Sequence, residues 1–121
     1  MTGEVVYMAG PREEGGSSLM KRIWNWQLEQ GNVPDCPECV DAIALVEPGY
    51  LGQKVWLRHP DGEIVGPLMV VDTAAAEHRA NLRARGRLGD ISWELAQKWG
   101  MTMTGPLDGV TLFFEPPAPG R

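Results

Sequence analysis

With 121 residues, 43% of them hydrophobic and 22% charged, the chain has the length and composition of one globular domain, not of a disordered or collagenous protein. A formal net charge of −5 excludes the Lys and Arg surplus needed to neutralise phosphates, so no nucleic-acid partner is expected. No apolar run reaches the roughly 18 residues of a membrane span, and Met1-Thr2-Gly3-Glu4 has neither the basic nor the apolar region of a secretory leader.

Glu4 to Ala9 reads as a first strand, closed by Gly10-Pro11 and a polar loop through Ser18. Leu19, Ile23, Trp24 and Leu28 recur at three-to-five spacing and predict an amphipathic helix over Leu19 to Gln30, with Ser17 or Ser18 as N-cap and Gly31 as stop. A Pro-rich loop then carries both cysteines, in Cys36-Pro37-Glu38-Cys39. That gap suits a redox disulfide, half a zinc site or two free thiols. Zinc would need two more ligands from His59, His78 or a carboxylate, and these do not stand at finger-like spacing. No metal and no cofactor is expected.

Val40 to Val46 is a second strand, and Glu47 to Gly52 a turn. Lys54 to Arg58 alternates as a half-buried strand does, and His59-Pro60-Asp61-Gly62 reverses tightly into Glu63-Ile64-Val65. After Gly66-Pro67, Leu68-Met69-Val70-Val71 is apolar on both faces, as a buried barrel strand is, and it ends at Asp72. Thr73 to Arg85 is rich in Ala and Arg and predicts a short helix over the rim, with Thr73 as N-cap and Gly86 as stop. Ile91, Leu95, Ala96 and Trp99 line another short helix that stops at Gly100. Val110 to Phe114 is the closing strand, before a Pro-rich tail at about 116–121. Strict βαβ alternation is missing, so a small, mainly β barrel over residues 1–121 is the expected architecture.

Gly52 to Arg58, Asp61-Gly62-Glu63 and Leu68 to Asp72 together resemble the central strands of rare lipoprotein A domains. In that family a Gly-Thr-x-Val-x-Val strand turns at Asn-Gly and returns through a Val-rich strand ending in Asp. Asp90-Ile91-Ser92, followed by Ala96 and Gly100, is similar to the family's Asp-Leu-Ser helix start. The likeness spans about Gly52 to Leu112. Cys36-x-x-Cys39-Val40 also resembles a Cys-Gly-x-Cys stretch of barwin and expansin domains, where each cysteine pairs elsewhere. The resemblance implies a six-stranded double-psi β-barrel with two or three short helices, acting on or gripping peptidoglycan or β-glucan outside the cell or in its envelope. Three departures stand against it. The family's Asp-Arg-Gly-Pro is here Asp72-Thr73-Ala74-Ala75, an Arg-rich helix is added, and the early glutamate motif with its following His is missing, with Cys36 to Asp41 its only positional candidate.

Asp72 closes an apolar strand, so its carboxylate is expected at the barrel mouth, where partial desolvation raises a carboxyl pKa towards general-acid use. Asp90 is the natural second carboxylate, because an inverting glycan hydrolase needs a second one to activate water. By resemblance to lytic transglycosylases, Asp72 alone could serve as acid and base. Both residues have structural alternatives: Asp90 as a helix cap, and Asp72 as a clamp on the psi loop. Tyr7, Trp26 and Trp93 are the candidate sugar-stacking rings, although most aromatic rings serve the core. Arg79 and Arg83, near His78, Arg85 and Arg87, form a basic patch on an acidic protein, suited to an anionic wall polymer or an acidic protein partner. With the Arg-Gly-Pro and early glutamate absent, polysaccharide binding is favoured over catalysis, and a purely structural or interaction module is the third option.

Overall fold

The computed structural model describes residues 1–101 and 105–118. Six strands, β1 (Thr2–Tyr7), β2 (Asp41–Leu45), β3 (Lys54–Arg58), β4 (Ile64–Thr73), β5 (Arg87–Ile91) and β6 (Leu107–Phe113), close into a barrel in the order β1-β5-β2-β4-β3-β6. Two neighbouring pairs, β1 with β5 and β2 with β4, run parallel; the other four are antiparallel. Helices α1 (Leu19–Glu29), α2 (Ala76–Ala84) and α3 (Trp93–Lys98) complete the chain. The expected fold class, mainly β with a six-stranded barrel and up to three helices, is the one observed. The expected proline-rich tail is described only as far as residue 118.

The two faces of the wall sort the apolar residues into two clusters. Ile43, Leu45, Val70 and Ile91 join Val5, Val55, Leu57, Leu68, Val110 and Leu112 inside the barrel, and Leu95 and Ala96 of α3 pack into the same cluster. Ala42, Ala44, Met69 and Val71 face the other way and pack with Met20 of α1 and Val33. Both faces of β2 and of central β4 are therefore covered, which is why those stretches read as continuous apolar runs.

Two strand assignments differ from the sequence expectation. Glu63–Val65 and Leu68–Val71 are not separate strands: β4 runs unbroken through Gly66-Pro67, whose peptide bond is cis. Gly66 is obligatory there, since it has φ +150 and a Cβ would stand 2.5 Å from the Trp56 ring. Conversely, Arg87–Ile91 is a full strand where helix entry was expected. Gly89 in its middle lies so close to β2 that a Cβ would meet the Ala44 carbonyl oxygen at 2.0 Å.

The caps differ as well. Thr73 ends β4, and α2 starts at Ala76 from Ala75 with no side-chain cap. Asp90 lies inside β5, so it caps nothing; Ser92 caps α3, its Oγ accepting from the Leu95 N–H at 3.0 Å. Ser18 stands at the start of α1, but its hydroxyl donates to Glu94 of α3 at 2.8 Å.

Candidate functional site

Ala44 is the register partner of Asp72 across the parallel β2–β4 ladder and of Asp90 across the antiparallel β2–β5 ladder. Val6 of β1 in turn pairs with Asp90. Asp72, Ala44, Asp90 and Val6 thus form one row across four strands, and three strand spacings make it about 14 Å long. The row lies on the face opposite Ile43 and Ile91, not inside the barrel mouth where Asp72 was expected. A bulge is the cause. Between Ile43 and Ala44 the ladder advances one residue on β2 and two on β4, so Val71 and Asp72 together oppose Ala44.

This bulge places the two carboxylates in one cleft of about 350 Å³. Its floor is Ala44, and its far wall is α2, through His78, Asn81 and Leu82, with Arg85 at the helix C-cap. A second cleft of about 380 Å³ adjoins it, lined by Val6, Tyr7, Arg87 and Pro106, and Met8 and Arg85 line both. Burial of the Asp90 carboxyl raises its pKa above the ordinary carboxylate value; nearby Arg87 opposes the rise and the Asp72 charge adds to it. No hydrogen-bond donor reaches that carboxyl among the described residues. Asp72 is half-buried, and its Oδ1 accepts from the backbone N–H of adjacent Thr73 at 2.9 Å. It clamps no distant loop by that bond.

The other candidates divide. Tyr7 lines the second cleft and packs on the barrel core. Trp26 is 54% exposed on α1 and borders neither cleft. The Trp93 indole lies against Gly10, so close that a Cβ there would be 2.7 Å from its Nε1. Arg79 donates to the Ala74 carbonyl at 3.0 Å, which ties α2 to the end of β4. Arg83 holds Glu47 with two donors, Nε and Nη2, the latter at 2.9 Å. Arg87 donates to Glu4 at 2.6 Å. Arg85, which sequence reasoning left among its neighbours, faces both clefts and has no ion-pair partner among the described residues. Nothing in the run Arg79 to Arg87 singles it out, because helix phase and strand pairing decide which cations are used.

A second desolvated carboxyl is Asp41, whose pKa is raised by burial against the opposing hydrogen bonds from Ser92 Oγ at 2.5 Å and the Ala42 N–H at 2.8 Å. It belongs to the junction of β2 and α3 and lines neither of these clefts. Cys36 and Cys39 are joined as a disulfide. No group of three or more His, Cys, Asp or Glu among the described residues is placed to hold a metal ion. No helix among them is long and apolar enough to cross a membrane. No family model, curated protein or solved structure matches the chain.

Proposed function

We propose that this barrel is a cell-wall polysaccharide-binding domain that lays a glycan strand along the row Asp72, Ala44, Asp90 and Val6. The observation that carries the proposal is the adjacency of the two clefts, which share Met8 and Arg85 as lining residues along a row about 14 Å long, more than one sugar ring. Its chemistry suits a polyol. Asp72 accepts hydroxyl protons, Arg85 donates, and the half-buried Tyr7 offers a ring edge with a hydroxyl. Peptidoglycan or β-glucan is the polymer that the likeness to rare lipoprotein A and expansin domains favours, and an extracellular or envelope location goes with it. Co-sedimentation with insoluble peptidoglycan and β-glucan tests this. Retention of the wild type, weakened by Arg85→Ala, is the expected result; a protein that stays in the supernatant with both polymers ends the proposal.

Glycan cleavage is the second reading, favoured by the desolvated Asp90 carboxyl. Roles then differ from those expected from sequence: Asp90 is the proton donor and Asp72 the second carboxyl group of the pair. Their Cα atoms are two strand spacings apart, about 9 to 10 Å. The separation of the carboxyl groups themselves decides between inversion and retention.

A further inference from the structure

The Cys36–Cys39 disulfide lies on another part of the wall. Cys36 lines a cleft of about 380 Å³ together with Pro34, Glu38, Lys54, Trp56 and Phe114, while Cys39 is not among the lining residues. Both sulfurs back onto the cluster that holds Ala42 and Met69. The bond spans only three residues in sequence. Stabilisation by a cross-link grows with the length of the loop it closes, so this one contributes near the minimum. The surrounding loop is also held by other means: buried Val33, the Val40 N–H to Pro67 carbonyl bond at 3.0 Å, and the Glu38–Lys54 ion pair at 3.0 Å. A staple is little needed here, yet one of its two half-buried cysteines, Cys36, lines an open, aromatic-walled cleft.

We propose that Cys36–Cys39 is a thiol–disulfide exchange site whose substrate is a cysteine-bearing peptide segment with an apolar or aromatic neighbour. The incoming thiolate enters the cleft and attacks Cys36 Sγ. The S–S bond breaks, its electron pair leaves on Cys39 Sγ, and that sulfur takes up a proton from water. A second thiolate then attacks the incoming sulfur and releases Cys36 as a thiolate, which is protonated in turn. Two external thiols are oxidised to one disulfide, and the protein's disulfide is reduced to two thiols. Trp56 and Phe114 supply the apolar contact, and Asp35 and Glu38 disfavour an anionic thiol. This site is separate from the carbohydrate groove and stands or falls independently of it.

The test incubates the intact protein with glutathione or with a neutral Phe-Cys peptide, traps thiols by alkylation and reads the intact mass. Both thiols are expected to open the bond and add two alkyl groups, the peptide about tenfold faster, the worth of one good aromatic contact. A bond that resists both thiols but yields to a phosphine is a structural staple, and the proposal fails. Equal rates for the two thiols overturn the cleft as the docking seat. Cys39→Ser leaves Cys36 as a free thiol, so it should capture the peptide when this is supplied as its symmetrical disulfide, the Cys36 thiolate attacking one sulfur and the other leaving as a peptide thiol, and no adduct at Cys36 in the folded variant also refutes the mechanism. The wild-type rates decide the matter if that variant does not fold.

Discussion

Asp72 and Asp90 stand on either side of Ala44, each its direct strand partner, and so share one cleft although 18 positions separate them in the chain. Their environments differ. Asp72 has a backbone donor, while Asp90 is desolvated without one among the described residues.

Asp90→Asn should stabilise the protein at pH 7 by on the order of 1 kcal/mol. The sign follows from the raised folded-state pKa. The native state holds the proton more tightly than the unfolded one, so wild-type stability falls as pH rises from the ordinary carboxylate range through the folded pKa. The gain should vanish below that range. Urea unfolding at pH 7 and at about pH 3 checks it, and a variant less stable at both would show that Asp90 is not strained by burial. If the wild type releases soluble glycan fragments, the same variant should release none while still binding the polymer.

Ser92→Ala should cost about 2 kcal/mol, more than the loss of a typical N-cap. Its hydroxyl oxygen caps the Leu95 N–H, and its proton goes to the buried Asp41. Removing it leaves that carboxylate with one fewer donor, so the penalty should shrink when Asp41 is also changed to Asn. A double-mutant cycle by chemical denaturation reads the coupling, and strict additivity would mean that the two contacts act separately.

Gly89→Ala should cost about 3 kcal/mol or more, because the ladder itself must part to admit a methyl group beside the Ala44 carbonyl. Gly105→Ala, where nothing among the described residues lies within 4 Å, is the control and should change little. Melting curves of the two variants decide whether close strand approach at position 89 is real.

Arg85→Ala should lower retention on insoluble glycan about tenfold, the value of one charged hydrogen bond, with unchanged thermal stability. Arg83→Ala should leave retention alone, because its guanidinium is occupied by Glu47 outside the aspartate cleft. Equal losses in the two variants would point to a diffuse basic surface instead of a groove.

Much of the barrel was legible wherever local pattern and tertiary burial agree. Lys54–Arg58 was read to the residue from its alternation, and α1 to within one residue from its apolar spacing and Gly31. β5 was not legible, because Arg-Leu-Gly-Asp-Ile carries a central glycine and two charges that look like a loop until β1 and β2 flank it. Asp72 could be nominated from the end of an apolar strand, and Asp90 from its place before a helical pattern. Their common row could not, since it depends on a bulge that adds one residue to β4 and no side-chain period announces it. Arg85 was hidden for a related reason: four arginines between positions 79 and 87 look alike until three find partners in the fold.

Closure of the six strands on themselves also limits how anything can be recognised. Among the described residues every strand has a neighbour on both sides, so the barrel offers no open strand edge for an extended peptide to join. Whatever this protein grips must be read by side chains standing on the outside of the cylinder, and copies of the chain lack a free margin along which to zip together.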